Sequence, residues 1–189
     1  QRNLGINLGN LGQLYLWQGR LADAETVLTE AISLCDEAIP AAAGAFRATL
    51  ALTLAQQDKH EQAAELLATG EPLVASIPEE YAKFLCKKGH VWELTGKLDE
   101  AHDALLQART LSNSLHSQEN SDLGRSIQRL EHALDSASAR IDSTGRRSEG
   151  RRLFEQGRAA VIAGNLQQAL TCQQQALDQF RVIDDQAGE

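Results

Sequence analysis

The five histidines, His60, His90, His102, His116 and His132, never form an H-x-x-x-H pair, and no two stand three or four residues apart on one helical stretch. A metal site would therefore need ligands gathered from several separate segments. Asp99, His102 and Asp103 share a helical face, with Glu93 and Glu100 close by. Carboxylates at such a helix start are read as partners of the helix dipole and as solvated surface rather than as an acid–base pair. No G-x-x-x-x-G-K-[ST], G-x-S-x-G or H-E-x-x-H occurs, so phosphate-loop, nucleophile-elbow and zinc-protease chemistry have no signature here. The expectation is a chain without catalytic residues, metal or cofactor.

Cys35, Cys86 and Cys172 are odd in number and unpaired by any C-x-x-C spacing, which implies neither a disulfide framework nor a zinc knuckle. Buried, inert thiols are expected. Cys86, beside Lys83, Lys87 and Lys88, is the one cysteine with local positive charge to favour a thiolate. The densest basic cluster is Arg146, Arg147, Arg151 and Arg152. Its first reading is a solvated link, or ion pairs with Glu149 and Glu155; an acidic protein partner comes next. Nucleic acid ranks last because Phe154 is the one aromatic residue nearby.

The elements that must carry these residues follow from composition. Of 189 residues, 42% are hydrophobic but only 4% aromatic, with 3 prolines, so the core must be built from Ala and Leu, and the chain is expected to be all-helical. A formal net charge of -8 opposes general attraction to nucleic acid or anionic lipid. No stretch approaches the roughly 20 apolar residues of a membrane span, and no signal peptide is evident. A soluble, cytoplasmic protein is expected. The absence of Met and the start at Gln1 suggest a piece of a longer protein.

Internal repetition is the strongest feature. The segments 18–28, 57–67, 95–105 and 163–173 align without a gap, each with a turn residue (Gly19, Asp58, Gly96, Gly164) followed five positions later by Ala24, Ala63, Ala101 or Ala169. Seven residues before each turn stands Gly12, Ala51, Gly89 or Gly157; twelve after it stands Ala31, Gly70, Ala108 or Ala176. Small residues at fixed offsets around a turn describe a helix, a tight turn and a second helix whose axes approach to about 8 Å. One apolar face of such a hairpin remains open until the next hairpin stacks on it.

Leu8, Leu11-Gly12, Tyr15, Ala24 and Leu28 make this pattern resemble the tetratricopeptide repeat. The third unit keeps Leu85, Gly89, Trp92, Ala101, Leu105 and Ala108 but has Lys88 where Leu is usual; the second departs at Arg47 and Asp58, and the fourth at Gln156, Ala160 and Gln173. The resemblance implies a right-handed α-solenoid of antiparallel helix hairpins, a superhelix. Three hairpins are expected over 1–115, then a linking segment over 116–149 and a fourth hairpin over 150–189. Within the linking segment Leu123, Ile127, Leu130, Leu134, Ala137 and Ile141 trace one amphipathic helix over 121–141, capped by Ser121 or Asn120, and DSTGRRS (142–148) reads as a flexible link.

In the resembled family the first helices line a concave groove that binds a protein segment. The corresponding residues here are Gln13, Leu16 and Trp17 in the first unit, with Ile6 and Gly9; Leu52 and Gln56 in the second, with Ala45 and Ala48; Lys83, Cys86, Lys87, His90 and Glu93 in the third; and Arg151, Phe154, Arg158 and Val161 in the fourth. Lys83 and Lys87 resemble part of a carboxylate-gripping set found in some members, from which Gly9 and Thr49 depart. A non-catalytic scaffold for a protein or peptide partner, with Trp17 as anchor, is the leading expectation. The alternative is a regulatory or sensor segment of a larger signalling or transcription protein. Leu170, Leu177 and Val182 are expected on an open face through which copies self-associate, and VIDDQAGE (182–189) reads as a link.

Overall fold

A computed structural model describes the backbone of residues 2–186 and the side chains as far as Ile183. Among these residues there are eight helices and no strand: α1 (Arg2–Trp17), α2 (Leu21–Cys35), α3 (Pro40–Ala55), α4 (His60–Val74), α5 (Pro78–Leu94), α6 (Leu98–Ser114), α7 (Asp122–Ile162) and α8 (Leu166–Gln186). The chain divides into two compact units, Gln1–Leu134 and Asp135–Glu189.

The four repeated turn residues share one backbone conformation. Gly19, Asp58, Gly96 and Gly164 have φ of 72°, 61°, 76° and 78°, the left-handed region that ends a helix most cheaply at glycine. In each, the amide of the turn residue and the next one bond back into the preceding helix, as in Gly19 to Leu16 (3.0 Å) and Arg20 to Tyr15 (2.9 Å). That pairing satisfies carbonyls left open at the helix end. His116, at φ 51°, closes α6 in the same way. Turn chemistry therefore fixes where each second helix begins.

Packing in the first unit follows the small residues. A Cβ at Gly12 would meet the Leu28 side chain at 2.5 Å, and one at Gly44 would meet the Gly70 carbonyl oxygen at 2.8 Å, so α1–α2 and α3–α4 cross at these glycines. A first core cluster runs from Leu16 and Leu28 through Ala51 and Leu67 to Phe84 and Val91; a second joins Leu85 and Leu105 to Leu123, Ile127, Leu130 and Leu134 of α7. A Cβ at Gly89 would meet the Leu130 side chain of α7 at 2.5 Å. The first turns of α7 thus stack on α5–α6 in the place of another first helix.

Ion pairs, two of them made by the departures Arg47 and Lys88, stitch neighbouring layers. Arg47 pairs with Asp36 at 2.6 Å, Lys88 with Glu71 at 2.7 Å, and Arg109 with Glu131 at 2.6 Å. Lys59 donates to both carboxylate oxygens of Glu25 (3.0 and 2.9 Å). Lys88, standing where Leu is usual, is accounted for by this ion pair, and Glu71 also accepts the Tyr81 hydroxyl at 3.0 Å.

Three expectations change along α7 and α8. The segment 142–148 is helical, not a flexible link. Ser143 and Thr144 turn their hydroxyls back onto the Arg140 carbonyl (3.0 and 2.8 Å), which satisfies them within the helix without strengthening it, and Arg146 reaches Asp142 one turn earlier at 2.8 Å, an i, i+4 pair that supports the helix. The Ser121 hydroxyl caps the start, accepting from the Gly124 amide at 3.0 Å, but the buried face ends at Ala137, leaving Ile141 exposed. In the second unit Leu153, Ala160, Ala169, Cys172 and Ala176 are buried, and the Phe180 ring lies against Gly150. Residues 182–186 belong to α8 rather than to a link, and 187–189 lie outside the described residues.

Candidate functional site

A groove enclosing about 480 Å³ opens on the first unit, lined by first helices only: α1, α3, α5 and the start of α7. The repeat arithmetic explains its rows. The 39 residues from Gly19 to Asp58 and the 38 from Asp58 to Gly96 carry Gln13 onto Leu52 and then His90; they carry Trp17 onto Gln56 and then Leu94. Equivalent positions on successive hairpins face the same space because the hairpins repeat.

Of the residues expected to bind a partner, Gln13, Leu16, Trp17, Leu52, Gln56, Lys87, His90 and Glu93 line this groove together. Leu16 does so from below: at 6% exposure it belongs to the core cluster with Ala51 and Ala55, so it is floor rather than exposed contact. Trp17 is 61% exposed and stands at the rim. Lys83 is held outside the lining by its own helix, its ammonium 2.8 Å from Glu79 and 3.1 Å from Glu80. Arg151, Phe154 and Arg158 belong to the second unit.

Lys87, Glu93 and Arg129 are the charged residues of the groove's lining. The Lys87 ammonium donates to the Thr49 hydroxyl at 2.7 Å, and that hydroxyl lies 3.3 Å from the Gln13 side-chain oxygen and 3.2 Å from the Ala45 carbonyl. No carboxylate comes within 4.0 Å of it among the described residues. Burial, the main cause, lowers its pKa to about 8, with the Lys83 and Arg129 cations acting in the same sense and Glu80 opposing. His90 is lowered by burial and then by Arg129, which favours the neutral imidazole. For Cys86, which is buried, burial overrides the Lys87 and Arg129 charges and pushes the thiol up to about 12, which accords with the inert thiol expected and removes the thiolate that its lysine neighbours suggested.

Sequence reasoning missed Leu94, Ser126 and Arg129. The signal was present: counting 39 residues on from Lys87 and His90 reaches Ser126 and Arg129. It was hidden because the first turns of α7 carry no small residue at the repeat offset: 39 residues on from Gly89 stands Gln128. Among the described residues no group of three or more His, Cys, Asp or Glu is arranged to hold a metal ion, and no helix is long and apolar enough to cross a membrane.

Antiparallel helix hairpins stacked through small residues, with first helices lining a groove, define an α-solenoid repeat fold. A tetratricopeptide-repeat family model matches residues 8–39, which cover most of α1 and all of α2, so the likeness to that family is found over the first hairpin. Repeats of this kind generally mediate protein–protein interaction and are typically non-catalytic. No curated protein matches the chain.

Proposed function

We propose that the chain is a non-catalytic interaction module that takes a segment of a partner protein into the α1–α3–α5–α7 groove, and that the segment carries an acidic group beside an apolar side chain. The observation that carries this reading is the Lys87 ammonium, enclosed at the groove and held by a neutral hydroxyl instead of a counter-ion. An enclosed cation paired with a carboxylate is far better compensated than one paired with a hydroxyl. Trp17 and Leu52 offer apolar contact, while Gln13 and Gln56 offer amide donors and acceptors for an extended backbone. The net charge of -8 disfavours nucleic acid as the partner, and three free, buried cysteines accord with a reducing, cytoplasmic setting.

Selection of a displayed random-peptide library on the protein tests the reading. The selected peptides should share an Asp or Glu within a few residues of a large apolar side chain. Trp17→Ala should weaken them by about 2 kcal/mol, roughly thirtyfold. Peptides indifferent to both Trp17→Ala and Lys87→Gln would remove the groove from consideration.

A second reading, self-association through α8, is favoured by one observation: Leu166 and Leu170 are 71% and 68% exposed on a single face, continued by Leu177. A repeat hairpin with nothing stacked on it leaves an apolar face of this kind open. A sedimentation series that remains monomeric up to about 100 μM would reject it.

A further inference from the structure

We infer that Lys87 is a modification site, whose side-chain amine takes an acyl group from a small acyl phosphate entering the groove. The chain has five lysines, Lys59, Lys83, Lys87, Lys88 and Lys97, and their partners set one apart. Lys59 lies 2.9 Å from Glu25, Lys83 2.8 Å from Glu79 and Lys88 2.7 Å from Glu71. Lys97 stands over the Trp92 ring, 4.9 Å from its centroid. Lys87 alone is held by a neutral hydroxyl, donating to Thr49 at 2.7 Å. It is half-buried yet lines a groove of about 480 Å³, which admits a small molecule, and Leu52 in the same lining offers apolar room for an acyl chain.

A lysine becomes a nucleophile when it sheds its proton, and burial beside other cations favours that loss. Both conditions meet at Lys87: burial, with Lys83 and Arg129 acting in the same sense, lowers its pKa from 10.5 to about 8. At pH 7.5 about a quarter of it is then free amine, against about one part in a thousand of an ordinary lysine. Of the other groups around it, Glu80, Cys86, His90 and Glu93 belong to α5, and α1 and α3 contribute the uncharged Gln13 and Thr49. In the reaction the nitrogen lone pair attacks the acyl carbon and forms a C–N bond. The bond from that carbon to the phosphate oxygen breaks, phosphate leaves with the electron pair, and the surplus proton on nitrogen passes to water. Arg129, in the same lining, attracts the anionic donor. The product is a neutral amide, which removes the cation that the groove reading relies on; that consequence rests on the reading, whereas the reactivity of Lys87 does not.

The experiment treats the whole 189-residue chain with acetyl phosphate at pH 7.5, or in parallel with the uncharged N-hydroxysuccinimidyl acetate, and follows each lysine by peptide mass spectrometry. Lys87 should acetylate about tenfold faster than each of the other four, because its larger free-amine fraction outweighs the lower nucleophilicity of a weaker base. Its rate should level above about pH 8.5, while theirs go on rising to pH 9.5. Gln13→Glu places a carboxylate two hydrogen bonds from the ammonium; it should slow Lys87 severalfold and leave the other four unchanged, with circular dichroism verifying that the helices persist. Arg129→Gln should slow acetyl phosphate more than the uncharged ester. Equal rates at the five lysines, a Lys87 rate that climbs to pH 9.5 without levelling, or indifference to Gln13→Glu would each overturn the inference. An Arg129→Gln effect equal for the two reagents would overturn the acyl phosphate as donor.

Discussion

The Arg129 guanidinium lies 5.6 Å from the centroid of the Trp17 ring, so a side chain of α7 reaches one of α1 at the groove they both line. An exposed cation–π contact of this length stabilises by about 0.5–1 kcal/mol. Arg129→Ala should therefore lower stability to urea by less than about 1 kcal/mol while raising acrylamide quenching of Trp17, read in a Trp92→Phe background. Unchanged quenching would mean that the two side chains do not meet in solution.

Asp58 holds a left-handed turn that glycine holds in the other three hairpins. A residue with a Cβ pays about 1–2 kcal/mol in that conformation, less for Asp than for most. Asp58→Gly should stabilise the fold by up to about 1 kcal/mol, whereas Gly19→Ala, with open space around it but φ of 72°, should destabilise by about 1 kcal/mol. Chemical denaturation of the two variants measures both signs.

Those turns, and the small residues at fixed offsets from them, are why so much of the fold was legible in the sequence. A left-handed turn and a backbone-to-backbone crossing each admit few residue types, so they leave a mark that survives divergence. The segment 142–148 reads as a link because Ser, Thr and Gly lower helix propensity, while the compensating contact, Arg146 to Asp142, is a specific pairing that composition does not announce. Most of the groove was legible for the same reason as the turns, because equivalent positions repeat every 38 or 39 residues. The burial of Leu16 and the capture of Lys83 by Glu79 and Glu80 depend on three-dimensional neighbours, and periodicity alone does not distinguish them from exposed groove residues.

Gly44 illustrates how strictly the crossings are specified. Its added Cβ would stand 2.8 Å from the Gly70 carbonyl oxygen and 2.9 Å from Leu73, and a backbone atom inside a packed helix pair cannot swing aside. The helix-propensity gain of about 1 kcal/mol for Gly→Ala should be outweighed by overpacking of about 1–3 kcal/mol. A net loss of stability on Gly44→Ala is the expected result, measured by the urea midpoint.

The pH dependence of groove binding tests the central claim most directly. Burial lowers the Lys87 pKa to about 8; a bound carboxylate favours the ammonium and raises that value, so binding takes up a proton once the free protein has begun to lose it. The facing groups do not mask this window: Glu80 and Lys83 flank Lys87 on α5, from which Glu93 also lines the groove, Arg129 faces it from α7, α1 and α3 contribute the uncharged Gln13 and Thr49, His90 is lowered from 6.5, and burial pushes Cys86 up to about 12. Calorimetric titration of a library-selected acidic peptide from pH 7 to 9.5 should show an affinity that is level at first and falls above about pH 8, with net proton uptake, and Lys87→Gln should bind at least tenfold more weakly with no fall across that range. Equal affinity of the two proteins, or a wild-type affinity that does not change with pH, would contradict the account.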